Sequence, residues 1–143
     1  MIGKEKKMNQ STTSAKMIDT KTLLSTLWIV VMLNMLKADI LSLFIPGAVE
    51  DVARTSANAG ASIPRLMLFG AVMSQIGIAM IVFSRALKYG INRRVNIVAS
   101  LVTIAYIWGG AAFYPHYIFI ATVETLCLLL IIGFAWTWRN TEA

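Results

Sequence analysis

The stretch LLSTLWIVVMLNMLKADILSLFI, residues 23–45, decides the class of this protein. It is almost entirely apolar and exceeds the ~20 residues that a helix needs to cross ~30 Å of hydrocarbon. Two opposite charges, Lys37 and Asp39, lie inside it. Ionisable groups within a membrane span are costly and usually mark a functional position. The stretch therefore predicts a membrane-crossing helix that carries a polar site.

Three further apolar blocks of similar length follow, at residues 66–84, 95–114 and 117–138. Hydrophobic residues make up 57% of the chain and charged residues 14%, whereas an ordinary soluble domain has about a quarter charged residues. Each block must be helical, because lipid offers no hydrogen-bond partner to a free backbone group. We therefore predict an all-α fold, a transmembrane up-down four-helix bundle.

The four spans use most of the chain and leave room for one domain. Residues 1–20 form a polar, basic tail, and residues 21–143 form a single four-helix transmembrane domain. The first span resembles a secretory signal in length and follows several lysines, but no convincing cleavage site comes after it. We therefore expect it to be retained as a span.

The distribution of charge predicts the orientation in the membrane. The net charge is +6. The tail, the link between the second and third spans and the C-terminal end together hold ten basic residues and only three acidic ones. The positive-inside rule then places both termini in the cytoplasm, for a protein integral to the plasma (inner) membrane. The basic residues are Lys4, Lys6, Lys7, Lys16, Lys21, Arg85, Lys88, Arg93, Arg94 and Arg139.

The same charges indicate which partners to expect. The basic tail has no interleaved aromatic residues and no nucleic-acid-binding motif, so we expect no nucleic-acid partner. Anionic lipid headgroups on the cytoplasmic side of the bilayer account for such charges better.

Every predicted span contributes a polar side chain at a similar depth. Counting ~1.5 Å per residue from the outer helix ends puts Asp39 ~10 Å below the surface, with Lys37 and Glu124 at ~13 Å. Tyr106 comes at a similar depth and Gln75 slightly deeper. Asn34 lies one helical turn from Lys37. The predicted ligand- or ion-binding residues are Asp39, Glu124, Lys37, Asn34, Tyr106 and Gln75.

Helical geometry limits how these groups can pair. Lys37 and Asp39 are two residues apart, so they point to nearly opposite sides of the helix. Glu124 is the only acid at matching depth on another span, so a Lys37–Glu124 pair is expected. Asp39 is then left with Tyr106, Gln75, Arg65 at the outer rim, water or a ligand. Without a cationic partner, it would gain and lose a proton or hold a cation. The alternative is a satisfied network that only fixes helix register.

Composition argues against several kinds of chemistry. Cys127 is the single cysteine and His116 the single histidine, which rules out an internal disulfide and bis-histidine haem ligation. The sequence has no zinc-type Cys/His cluster, so we expect no metal and no cofactor. It also lacks a Ser/His/Asp arrangement and a dinucleotide-binding loop. An enzyme is therefore the least favoured class.

Two local patterns leave alternatives open. Val49, Val52 and Ala53 are at helical spacing in the outer link, residues 46–64, which favours a plain connection or a short amphipathic helix on the membrane surface. Gly70 and Ser74 form a small-xxx-small pair, which permits close helix contact within the chain or between copies of a homo-oligomer.

The residues Leu27-Trp28, the run from Asn34 to Leu41 and Pro46-Gly47 together resemble an uncharacterised bacterial family of small four-helix membrane proteins. The matching stretch covers about a fifth of the chain. The resemblance implies the four-span fold and singles out Asn34 and Asp39, and it supplies no activity. It also implies an uncharged residue where this chain has Lys37.

Two functions from different classes fit these observations. The first is a proton- or cation-coupled small-molecule transporter or binding protein, with Asp39 and Glu124 as titrating groups in a cavity open to the outside. The alternative is a non-catalytic accessory or scaffold membrane protein that forms homo- or hetero-oligomers.

Overall fold

The computed structural model describes residues 19–110 and 114–138. These residues form five helices and no strand, which confirms the predicted all-α class. Most of the predicted tail, residues 1–18, and the C-terminal Arg139 lie outside the described residues. The helices are α1 (Thr20–Ser42), α2 (Ala48–Asn58), α3 (Ile63–Ala86), α4 (Tyr89–Gly109) and α5 (Pro115–Thr137). The short helix α2 is one more than the predicted four.

The helix boundaries follow local chain chemistry. Pro64 and Pro115 occupy the first turns of α3 and α5, where the missing N–H costs nothing. Gly47, with φ of 87°, precedes α2, and Gly60, with φ of 62°, follows it. Both need the left-handed backbone conformation that glycine adopts readily. The outer link is therefore helical in its middle and sharply bounded at both sides.

Two predicted spans have different limits in the structure. The helix α1 ends at Ser42 rather than at residue 45, because the chain turns before Pro46. The helix α4 begins at Tyr89 and ends at Gly109, so the predicted span 95–114 is shifted toward the C-terminus. The first turns of α4 are polar, so hydropathy along the sequence does not indicate where this helix begins. The link between α3 and α4 consists of Leu87 and Lys88.

The four long helices pack as a ring. The helices α1 and α4 each contact both α3 and α5, so α1 and α4 lie diagonally across the ring. Neighbouring helices are antiparallel, and residues 19 and 138 lie at the same end of the ring as the α3–α4 link. The contacts that set these directions are Ser42 with His116, Ser25 with Ile81, and Tyr117 with Ile107.

The ring is apolar on its outside and partly polar on its inside. Its core contains Trp28, Leu128 and Ile131, which are fully buried. Large apolar side chains such as Leu33 and Phe119 are exposed. Four polar residues of α4 are buried instead: Asn92, Asn96, Ser100 and Thr103. This distribution suits an apolar solvent, where polar groups gain by turning toward protein partners.

Three helices, α1, α3 and α5, are long and apolar enough to cross a membrane. This identifies a membrane protein. The helix α4 does not meet the same measure, because its first eight residues include Asn92, Arg93, Arg94 and Asn96. Composition thus supports three of the four predicted spans.

Two glycines on α3 serve packing within the chain. A Cβ at Gly70 would lie 3.3 Å from the Tyr106 hydroxyl, and a Cβ at Gly77 would collide with the side chain of Met32. These two glycines of α3 therefore let α4 and α1 approach closely.

Candidate functional site

Four ionisable side chains lie in the half of the ring nearer the outer link, and we name them the carboxyl site: Asp39, Tyr106, Tyr117 and Glu124. Asp39 belongs to α1, Tyr106 to α4, and Tyr117 and Glu124 to α5. No hydrogen bond joins any two of these four side chains in the described structure.

The two carboxyl groups lie at different depths. Ser42 Oγ and His116 Nε2, 3.4 Å apart, fix the register between α1 and α5. Asp39 comes three residues before Ser42, about 4.5 Å along the axis, and Glu124 eight residues after His116, about 12 Å along it. Asp39 is exposed and Glu124 buried. The polar groups predicted to form a single layer therefore lie at two levels, because α1 ends earlier than the sequence indicates.

Glu124 has an environment that is unusual for a carboxyl group. Its side chain is only 3% exposed, and Oε1 has no hydrogen-bond partner among the described residues. Glu124 takes no part in the ion pair found among the described residues. That pair joins Arg54 to Asp51 at 3.9 Å on the exposed helix α2. Burying an unpaired charge is very costly. A carboxyl group in this position is stable when it carries a proton or a bound cation.

A second buried oxygen without a partner lies at the level of Glu124. Ser100 is fully buried, and its Oγ has no hydrogen-bond partner in the described structure. Tyr117 Oη donates to Ile107 O at 3.2 Å, which fixes the register between α4 and α5. Ser100 precedes Ile107 by seven residues and Glu124 follows Tyr117 by seven, which is about two turns in each helix. Both oxygens therefore lie at one level of the α4–α5 interface.

The remaining predicted site residues are placed differently. Lys37 and Gln75 are exposed and point away from the core, while Asn34 is partly buried. The neighbour of Lys37, Ala38, is 4% exposed and packs inward, which turns the lysine outward. The expected Lys37–Glu124 pair is therefore not formed. Of the predicted set, Asp39, Tyr106 and Glu124 lie in the half of the ring nearer the outer link, and Tyr117 lies there as well.

A buried network of uncharged polar side chains, not predicted from the sequence, lies at the other end of the ring. We name it the amide network: Trp28, Ser84, Asn92 and Asn96, all fully buried. Trp28 Nε1 donates to Asn96 Oδ1 at 2.8 Å, and Ser84 Oγ donates to the same oxygen at 3.0 Å. Asn92 Nδ2 donates to Ser84 O at 2.7 Å, which ties α4 to α3.

Asn96 is saturated within this network. Its Nδ2 donates to Asn92 O at 2.9 Å and to Asn92 Oδ1 at 2.6 Å, while its Oδ1 accepts two bonds. A side-chain amide offers two donors and two acceptor lone pairs, so none is left over. The described structure leaves no buried side-chain oxygen or nitrogen of the amide network without a partner, in contrast to Glu124 Oε1 and Ser100 Oγ.

A sequence signal for the network did exist. Asn92, Asn96, Ser100 and Thr103 follow one another at spacings of four, four and three residues, which places them on one face of a helix. A search for charges inside apolar blocks passes over this pattern, because all four residues are uncharged. The polar face of α4 runs from the amide network to the level of Glu124.

The family comparison covers most of the chain. A family model described as a family of unknown function, DUF6326, matches residues 16–143. The chain belongs to this family. No curated protein and no solved structure gives a significant match. Membership of DUF6326 confirms the expected uncharacterised family and brings no activity with it.

Proposed function

We propose that this DUF6326 protein crosses the plasma (inner) membrane four times, with α1, α3, α4 and α5. The fourth crossing, α4, is supported by its packing between α3 and α5 and by its apolar exposed side chains, among them Ile91, Val98 and Leu101. The positive-inside rule favours a cytoplasmic location for the end that holds the α3–α4 link. Basic residues of the described structure at that end are Lys21, Arg85, Lys88, Arg93 and Arg94.

Within that membrane domain, the proposed function is to bind a proton or a small cation at Glu124, as part of a transporter or binding protein. One observation carries the proposal: a carboxyl group almost fully removed from solvent, with an oxygen that nothing in the described structure satisfies. Such a group gains free energy from any small positive species that reaches it. Ser100 Oγ, at the same level, is a second oxygen ligand for that species.

The two levels of carboxyl groups suggest a path to Glu124. Asp39 is exposed near the outer end of the ring and lies about 7.5 Å above Glu124 along the axis. Toward the cytoplasmic end, the saturated amide network closes the interior around Trp28 and Asn96. A buried carboxyl group that is closed off at the cytoplasmic end, with an exposed carboxyl group on its outer side, suits a coupled transporter in its outward-facing state.

The proposal is tested with the full chain reconstituted in liposomes that contain a pH-sensitive dye. After an imposed potential, we expect proton uptake by the unaltered protein, its loss in Glu124→Gln and its slowing in Asp39→Asn. Equilibrium dialysis with radioactive sodium measures cation binding in the same preparations. Glu50→Gln is the matched control, because Glu50 is exposed on α2. Uptake and sodium binding that persist unchanged in Glu124→Gln would overturn the proposal.

A second candidate function rests on Lys37. This lysine lies within the first span, yet it is exposed on the outer surface of the ring and has no ion pair in the described structure. Charged residues within spans almost always face protein or a water-filled cavity. An acidic residue on a neighbouring membrane protein or a second copy would satisfy Lys37, which is the arrangement of an accessory or scaffold protein that forms homo- or hetero-oligomers.

Counting copies in native membrane fragments distinguishes this candidate from the first. If Lys37 holds a partner, Lys37→Met dissociates the assembly and leaves the proton uptake of the remaining monomer unchanged. Arg65→Met, at the outer start of α3, is the control for loss of a positive charge. A single copy, with no co-purifying protein, in both the unaltered protein and Lys37→Met removes the second candidate.

A further inference from the structure

Two apolar grooves run along opposite sides of α3. The groove between α3 and α4 has a volume of about 440 Å³ and is lined by side chains such as Ile76, Phe83 and Val98. The groove between α1 and α3 has a volume of about 440 Å³ and includes Ile29 and Ile81. Both lie on the outside of the ring, where the helices of a membrane protein meet lipid.

An arginine takes part in the lining of each groove, and both arginines lie toward the α3–α4 link. Arg94 lines the α3–α4 groove, and Arg85 lines the α1–α3 groove. Arg85 Nε donates to Ser25 Oγ at 3.0 Å, which holds its guanidinium group beside the groove. The ion pair found among residues 19–110 and 114–138 involves neither arginine. Each groove thus has an apolar wall and an arginine at the end nearer the α3–α4 link, and Arg94 meets the α3–α4 groove with its aliphatic stem.

A guanidinium group recognises phosphate well, because its planar N–H groups match two phosphate oxygens. The α3–α4 groove extends from Ile76 to Phe83, seven residues or about 10 Å along the helix. That is about a third of the ~30 Å hydrocarbon core, and it corresponds to the part of an acyl chain next to the headgroup. The apolar wall of the groove thus fits an acyl chain, and the arginine at its end fits the phosphate group of the same molecule.

We propose that the α3–α4 groove binds an anionic phospholipid of the cytoplasmic leaflet, with an acyl chain along α3 and the phosphate on Arg94. The α1–α3 groove binds a second molecule in the same way, with its phosphate on Arg85. Occupation of the grooves ties α3 to its neighbours at the end where basic residues are concentrated. The proposal does not depend on proton or cation binding at Glu124.

The first experiment measures lipid binding to the purified full chain by native mass spectrometry. The protein is titrated with phosphatidylglycerol and with phosphatidylcholine of the same acyl chains. We expect a preference for phosphatidylglycerol, reduced roughly fivefold at this site in Arg94→Gln, since a basic residue at an anionic membrane surface contributes about that factor. Arg94→Lys keeps most of the preference. Arg65→Gln, at the opposite end of α3, leaves it unchanged.

A second variant tests the groove rather than the charge. Ala79 lines the α3–α4 groove, and Ala79→Phe places a ring where the acyl chain would lie. We expect one fewer tightly bound phosphatidylglycerol and an unchanged thermal unfolding temperature. Equal effects of Arg94→Gln and Arg65→Gln would mean that positive charge in general attracts phosphatidylglycerol, without a site in the groove. That result would overturn the proposal. Binding unchanged by Ala79→Phe, or a lipid-free dimer in which a second copy fills the groove, would overturn it as well.

Discussion

The indole N–H of Trp28 donates a 2.8 Å hydrogen bond to Asn96 Oδ1 and so joins two helices that lie diagonally across the ring. Adjacent helices in a bundle touch along their length, but diagonal helices meet only through long side chains. Trp28 is long enough to cross the interior, and Asn96 is held in place by Asn92. This contact therefore fixes the distance between α1 and α4 at the level of the amide network.

Asn96→Leu is expected to destabilise the protein by about 2–3 kcal/mol. The change leaves the indole N–H of Trp28 and the hydroxyl of Ser84 buried without acceptors, and an orphaned buried group costs about 1–3 kcal/mol. Trp28→Phe removes only one hydrogen-bond donor. That loss should cost about 1 kcal/mol or less, in addition to the packing cost of the smaller ring. Reversible unfolding in mixed micelles measures both. Thr122→Val, on the exposed face of α5, is the control and should change stability little.

Glu124→Met is expected to raise stability while it abolishes proton uptake. Replacing a buried, unpartnered carboxyl group by an apolar side chain removes a desolvation cost of about 1–3 kcal/mol. Ser100→Ala should be neutral or mildly stabilising for the same reason. The opposite sign, a loss of stability in Glu124→Met, would mean that Glu124 belongs to a satisfied structural network and would favour the scaffold function.

The fold could be predicted from the sequence where apolar length alone decides, and less well where polar residues turn inward. The helices α1, α3 and α5 are visible as apolar blocks. The start of α4 is not, because Asn92 and Asn96 lower its hydropathy while packing against Trp28. Hydropathy measures composition alone, and it does not indicate which face of a helix a polar residue occupies.

The carboxyl site shows the same division. Asp39 and Glu124 could be found because a charge in a membrane span is rare. Depth counting from Pro46 put them on one level, since the end of α1 at Ser42 depends on a turn that composition does not specify. The outward position of Lys37 depends on how α1 is rotated about its axis, and Ala38 packing inward decides that rotation.

Tyr114→Phe is expected to loosen α2 from the rest of the chain. Tyr114 Oη donates a 2.6 Å hydrogen bond to Asp51 Oδ2, which connects α2 to the start of α5. Hydrogen exchange of residues 48–58 should speed up in the variant. Arg54→Gln is the control, because its 3.9 Å pair with Asp51 is exposed and such pairs contribute little. Unchanged exchange in Tyr114→Phe would show that α2 is held by its contacts with α3.

The same contact has a defined pH dependence. The hydrogen bond to Asp51, together with the nearby negative charge, raises the pKa of Tyr114 above its ordinary value. A raised pKa means that the contact favours the protonated phenol. Its stabilisation is therefore complete below the ordinary tyrosine pKa of about 10 and is lost as pH rises through the raised value. The difference in tyrosine absorbance between the unaltered protein and Tyr114→Phe measures that titration.

Gly77→Ala is expected to destabilise the protein, while Gly133→Ala is expected to be neutral or slightly stabilising. An added Cβ at Gly77 collides with Met32, whereas at Gly133 it meets nothing within 4 Å. Replacing glycine by alanine favours a helix by about 0.5–1 kcal/mol when space allows, so the two variants separate packing from backbone entropy. Met32→Ala combined with Gly77→Ala should recover much of the loss, because the flexible thioether is the group in the way. If the double variant is as unstable as the sum of both single variants, α1 and α3 do not approach at this pair.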